Sequence, residues 1–184
     1  MKLKDKYKKE VVPAMKEKFG YKSVMAVPRI EKVVINTGIG RLVAAKTSEE
    51  QKKLFNSVLE DLATITGQKA VLTKAKKSIS VFKVREGMAV GAKVSLRGKR
   101  MYDFLERLIN IAFPRVRDFR GIDLKSFDQK GNLTVAFKEQ SVFPEISLEK
   151  TRAIFGFEII IVTSTKNREQ GMELLRLMGF PLKK

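Results

Sequence analysis

The stretch "RIEKVVINTG", Arg29 to Gly38, decides how the chain is read. Val33 and Ile35 share one parity with Glu31, while Lys32, Val34 and Asn36 share the other. A period of two belongs to a strand, so this stretch predicts a strand with one buried face and one polar, partly basic face. A sheet of that kind buries its apolar side under helices.

The flanking sequence supplies them. Leu3, Tyr7, Val11, Met15 and Phe19 recur at four-residue steps. That spacing predicts a helix over 3–19, stopped by Gly20 and kinked or split at Pro13. Thr47 with Glu50, or Ser48 with Gln51, forms a capping box. The helix that follows carries Leu54, Phe55, Val58, Leu59 and Leu62 inward and ends at Gly67. "KAVLT" reads as a short strand and "GAKVSLRG", Gly91 to Gly98, as an alternating one. "KRMYDFLERLINIAF" predicts a third helix, with Met101, Phe104, Leu105, Leu108 and Ile109 inward and Pro114 as terminator. "NLTVAFKEQ" and "FEIIIVTSTK" are late strands, the second apolar enough to be central. "NREQGMELLRLMGF" is a last helix closing at Gly179 and Pro181. Short strand-to-strand links imply antiparallel pairing. The expected fold is α+β, one antiparallel sheet with helices packed on one face. The 184 residues read as a single domain, 1–184, with the 3–19 helix packed on it. A chain of this length can bury roughly 70% of its unfolded surface, enough for a core without disulfides.

The chain has no Cys and no His. Disulfides, Cys/His zinc sites and Ser-His-Asp or Cys-His nucleophiles are therefore excluded, and neither a cofactor nor a metal is expected. No run approaches 18 consecutive apolar residues, and "MKLKDKYKKE" lacks the apolar core of a signal peptide, so a cytoplasmic location is expected.

The charge is the strongest signal. Lys and Arg number 38 against 20 Asp and Glu, a net +18. Such an excess on a small folded domain implies a polyanionic partner. Residues 1–40 hold ten basic and four acidic side chains, net +6; residues 61–100 hold ten and two, net +8; residues 121–160 hold five and six, net −1. "TKAKKSISVFKVREG", Thr73 to Gly87, alone carries +4. Read as extended chain, it puts Lys83 and Arg85 on one side and Phe82 and Val84 on the other, cationic outward and apolar toward the sheet. Lys74, Lys76, Lys77 and Ser78 precede them, in a part that could be ordered only on its partner. "RVRDFRG" sets Arg115, Arg117 and Arg120 around Phe119, and a guanidinium binds phosphate bidentately. A charged loop with no ligand is the alternative reading of each stretch.

Two enzyme-like signals are weak. Gly38-Ile39-Gly40 follows a strand, but Val43 stands where a dinucleotide fingerprint needs a small residue, and no clear helix starts before Thr47. A tight turn using glycine dihedrals explains it better. The carboxylate pairs Asp118 with Asp123 and Glu145 with Glu149 have no apolar pocket in view to raise a pKa. Among polyanions, no single amphipathic helix gathers the charge as lipid binding needs. DNA is disfavoured, because no helix-turn-helix or basic zipper is present. An open polar sheet suits RNA, although the paired aromatics of an RNP1 motif are missing, so shape and phosphate contacts should dominate. A free-standing RNA chaperone or modifying enzyme, or a basic membrane-surface protein, stays open at this level.

Five blocks carry a resemblance: "VPRIEKVVINTGIG", "LATITGQKAVLTKAKKS", "GAKVSLRGKRMYDFLERL", "PRVRDFRG" and "KEQSVFPEI". In this order, over essentially the whole chain, they resemble the family of bacterial large-subunit ribosomal proteins that bind 5S rRNA, the fifth in that series. The resemblance implies an RNA-recognition-like topology and a structural, non-enzymatic role in the central protuberance. It implies contacts to 5S rRNA at Lys32, Asn36, Gln68 and Ser95, where the family more often has Thr at the last. It implies a loop reaching P-site tRNA through Lys74, Lys76, Lys77, Ser78, Lys83 and Arg85. Arg97, Arg115, Arg117 and Arg120 would meet further phosphates, including 23S rRNA. Val142, Phe143, Pro144, Glu145 and Ile146 would meet a small-subunit head protein across the subunit interface, and neighbouring large-subunit proteins would be further partners. "FDQKGNL" and "GMAVG" depart from the commonest family wording, the second by lacking a proline near Ala89.

Overall fold

The structure is a computed structural model that describes residues 2–43, 46–82, 84–146 and 153–183, without the Arg41 side chain. The chain is α+β: one open, antiparallel sheet with helices. Its strands are β1 (Ile30–Gly38), β2 (Val71–Lys74), β3 (Ala89–Leu96), β4 (Leu133–Phe137) and β5 (Phe157–Thr163), in the order β2-β3-β1-β5-β4. The expected alternation is there. Val33, Ile35 and Thr37 of β1 are buried, and Lys32, Val34 and Asn36 are half-exposed. Glu31, of the buried parity, is exposed at the strand's start. The centre of the sheet is β1, not the more apolar β5, which lies between β1 and β4. Apolar content reports burial on both faces and not rank in the strand order.

The chain divides into two compact units. The first, residues 1–33, 96–135 and 160–184, holds three helices. Its N-terminal helix runs through Leu3–Lys6, a π-turn Tyr7–Val11 and Val12–Phe19. The second helix repeats the device: Gly98–Arg107, a π-turn Leu108–Ala112 and Phe113–Arg115. In each, a backbone N–H reaches five residues back, Val12 to Tyr7 and Phe113 to Leu108, one residue before a proline. The wide turn makes room for a ring that lacks an N–H, so neither helix breaks there. Pro114 is therefore not the terminator; the helix ends a residue later, at Arg115. The third helix, Arg168–Met178, ends on a left-handed Gly179. Phe113 anchors this unit, stacking on Phe119 (centroids 5.1 Å, 19°) and meeting Phe180 edge-on (6.4 Å, 73°).

The second unit, residues 34–95 and 136–159, is built on the helix Ser48–Thr66. Thr47 and Glu50 form its capping box: the Glu50 carboxylate accepts from the Thr47 amide and hydroxyl, both at 3.0 Å. Those bonds to the charged form hold the Glu50 carboxyl below its usual range. Leu54, Phe55, Val58, Leu62 and Ile65 are buried. A four-residue helix, Gly40–Val43, precedes it, where no helix was expected before Thr47. Gly38 and Gly40 do not adopt positive φ, so the turn does not use glycine dihedrals after all. The glycine that matters is Gly91. On β3 it faces Thr73 of β2, and a Cβ there would sit 2.3 Å from the Thr37 carbonyl oxygen and 2.9 Å from the Thr73 hydroxyl. Backbone cannot yield as a side chain can. Gly91→Ala is therefore expected to cost about 1–3 kcal/mol, read as a lower denaturation midpoint; an unchanged midpoint would contradict the close approach of β1 and β3.

Candidate nucleic-acid interface

Toward the end of β3 the open parity is polar. On β3, Lys93 and Ser95 alternate with buried Ala92 and Val94. Lys93 pairs with Val71 of β2, which is exposed. Beside β3, the helix Ser48–Thr66 ends on left-handed Gly67, and Gln68 is held just beyond. The Thr66 hydroxyl donates to the Leu62 carbonyl (2.7 Å), and the Gln68 Nε2 donates to the Ser95 carbonyl (3.1 Å). The structure thus brings Gln68 and Ser95 together. Asn36 lines a separate shallow groove of about 240 Å³ with Gly38, Phe137, Gly156 and Glu158. Its floor is firm: Phe137 stacks on Phe157 at 5.2 Å, and the Thr37 hydroxyl donates to the Gly156 carbonyl at 2.7 Å. Lys32 is on β1 in the first unit, half-exposed, four residues from Asn36.

The segment 73–87 is not the strand expected of it. β2 stops at Lys74, and the chain closes into a small lobe with its own bonds. Ala75 N–H donates to Met88 O at 2.8 Å, Ile79 N–H to Val84 O at 2.9 Å and Val84 N–H to Ile79 O at 3.2 Å. The tip is a 3₁₀ turn, Ser80–Phe82. Ser78 is an internal brace, its Oγ accepting from the Glu86 amide at 2.9 Å. The apolar residues do not turn to the sheet: Val81 is 83% and Phe82 64% exposed. Alternation failed as a guide because the lobe satisfies its backbone locally, and a 3₁₀ turn has no two-residue period. Lys74, Lys76, Lys77 and Arg85 are exposed, and none has an ion-pair partner among the described residues. Lys83 lies outside the described residues.

In the first unit, Arg115 closes a helix, Asp118 takes a left-handed φ of 56°, and Phe119 is drawn onto Phe113. The "RVRDFRG" stretch is a turn rather than an extended run, and Arg115, Arg117 and Arg120 are all exposed on it. Arg97 is exposed at the start of the helix Gly98–Arg107. Asp123 is a turn acceptor: its Oδ1 takes the Lys125 amide at 2.9 Å, which holds its carboxyl below the usual range. It is a fixed anion, unsuited to general-acid work. Glu149 lies outside the described residues. Among the described residues no group of His, Cys, Asp and Glu could hold a metal.

Residues 142–146 are fastened from behind. Gln140 is fully buried; its Nε2 donates to Ala153 O (2.8 Å) and its Oε1 accepts from Phe155 N–H (2.9 Å). Phe143 packs on Phe157 at 6.0 Å. Phe143 and Ile146 are interior, so a partner would meet Pro144 and Glu145, which are exposed.

Two residues were missed by the sequence reading. Lys93 was legible, since alternation puts it on the parity of Ser95. The exposure of Phe82 was not.

Comparisons with known proteins give the family. The "Ribosomal protein L5" family model matches residues 23–85, and the model of that family's C-terminus matches residues 89–182. The chain belongs to the ribosomal protein L5 family. It is 54% identical to large ribosomal subunit protein uL5 of Alkaliphilus metalliredigens, over 99% of this chain and 98% of the relative. It is 52% identical to that of Halothermothrix orenii, over 97% of each. The protein is accordingly a structural constituent of the large subunit of the cytoplasmic ribosome and not an enzyme. Its partners are rRNA and ribosomal proteins.

One carboxyl of the second unit is half-buried. Asp61, on the helix Ser48–Thr66, has its Oδ2 buried without a partner. Burial, then the charge of Glu60, raises its pKa, against a hydrogen bond with Gln140. In the unfolded chain it titrates near about 4. Its favourable contribution is complete below that pH and is lost as pH rises through the raised folded value. Asp61→Asn is expected to raise the melting temperature at pH 7 and flatten the fall in stability above pH ~4. Thermal melts across that range check this; a less stable variant at pH 7 would contradict it.

Proposed function

We propose that the open side of the sheet binds 5S rRNA and attaches it in the central protuberance. Lys32 and Asn36 are four residues apart on one strand, which puts them on one face. With Gln68 and Ser95 they offer a cation, two amides and a hydroxyl, groups that read the backbone and base edges of folded RNA. The observation that carries the reading is the fixed pose of Gln68, tied to the Ser95 carbonyl at 3.1 Å, beside a parity that keeps Lys93 exposed. Arg97, Arg115, Arg117 and Arg120 supply phosphate contacts, to 23S rRNA among others. The lobe at 74–85 contacts P-site tRNA, and Pro144 with Glu145 forms the exposed part of a bridge to a small-subunit head protein. A stretch with net charge −1 suits a basic protein partner. We further infer that the chain folds as one domain, because β1, β3, β4 and β5 each contribute residues to both units.

Asn36→Ala with Gln68→Ala is expected to weaken 5S rRNA binding roughly tenfold or more, two hydrogen bonds being worth about 0.5–1.5 kcal/mol each. A gel shift with wild-type affinity would overturn the assignment of those residues. Lys76→Glu with Lys77→Glu is expected to leave the circular dichroism spectrum unchanged and weaken ribosome–tRNA affinity. Unaltered P-site affinity would remove the tRNA contact.

A further inference from the structure

The lobe at 75–88 does more than carry charge. It overhangs a groove of about 830 Å³ whose lining is mainly apolar, a size suited to a small ligand. Ile79, Phe82, Val84 and Val90 line it, and Lys76 and Lys77 are part of the same wall. Gly38 and Gly40 complete it, and a Cβ on Gly38 would meet nothing within 4 Å, so the groove is open there. An exposed aromatic ring in an apolar groove is costly in water unless something covers it. The charge indicates what does: two lysines without ion-pair partners among the described residues, on a segment of net +4, favour an anionic occupant over an apolar peptide. A flat apolar face flanked by phosphates is the chemistry of an unpaired nucleotide, which stacks on aromatic rings while its backbone meets Lys.

We propose that this groove receives an unpaired RNA base, stacked on the Phe82 ring, with the neighbouring phosphates held by Lys76 and Lys77. The proposal rests on the reading of the lobe as an RNA contact and adds the recognition of single-stranded nucleotides to it. Phe82 is 64% exposed, so replacing it should not disturb the fold. The hydroxyl brace of Ser78 on the Glu86 amide keeps the lobe closed without it.

The test uses the full chain and two RNA probes: a hairpin with 5-iodouridine in its unpaired loop, and a fully paired duplex of the same length. Ultraviolet crosslinking of the hairpin should map by mass spectrometry to Phe82. Phe82→Leu should weaken hairpin binding about tenfold, within the range of aromatic–base stacking, and leave duplex binding unchanged. Circular dichroism verifies that the variant folds. Equal hairpin affinity for Phe82→Leu and wild type, or a crosslink confined to other residues, would overturn the base pocket. An acidic peptide that displaces no RNA yet is lost with Phe82→Leu would overturn it too, in favour of a protein occupant. If Lys76→Ala with Lys77→Ala weakens tRNA binding while Phe82→Leu does not, the pocket fails and the tRNA contact stands. If neither changes, both fail.

Discussion

Positive charge without internal partners is the constraint on which this molecule turns. The ion pairs seen among the described residues include Lys18 with Glu173 at 2.9 Å and Arg176 with the same carboxylate at 3.4 Å. In both the base is exposed while Glu173 is largely covered, and they use one acid for two bases. With 38 basic side chains against 20 acidic ones, an excess of 18 cations has no acid to meet inside the chain. Their mutual repulsion opposes folding, and a polyanion that neutralises them relieves it. Binding and stability are therefore linked, since a ligand that meets only the folded state stabilises it.

The fold makes that charge useful by keeping it off the buried side. β1 alternates buried Val33, Ile35 and Thr37 with half-exposed Lys32, Val34 and Asn36, so one strand serves the core and the open face together. Rigidity comes from beneath. Gln68 is tied to β3, and Gln140 holds the chain on either side of residues 147–152 by bonds to Ala153 and Phe155. Polar groups presented by such a scaffold lose little entropy on binding, which favours recognition of shape over adaptable contact. The lobe at 75–88 works differently. Its backbone bonds are its own, its tip shows water an aromatic ring, and its Lys76 and Lys77 have no ion-pair partner among the described residues.

Much of this was legible in the residues. The capping box at Thr47, the helix stops at Gly20, Gly67 and Gly179, and the alternation of β1 all follow from local rules, and local rules hold where nothing distant overrides them. The illegible parts have distant or subtle causes. The rank of β1 at the sheet's centre depends on pairing between far-apart segments. The tolerance of Pro13 and Pro114 depends on π-turns that no side-chain pattern announces. Thr73 to Gly87 has the apolar content of a strand, but the bridge between Ile79 and Val84 closes it into a lobe and turns Phe82 outward. Of the site, the cations and Gln68 were visible by type; the bond from Gln68 to Ser95 and the interior position of Phe143 needed coordinates.

The most direct measurement is the affinity of the purified full chain for a 5S rRNA transcript across a salt series, with an unrelated folded RNA as control. Tight, preferential binding is expected, with log K falling linearly against log salt by about 0.9 per duplex phosphate engaged. A chain that ignores the 5S transcript at low ionic strength, or binds it with no salt dependence, would contradict the claim that its unpaired cations exist to hold folded RNA.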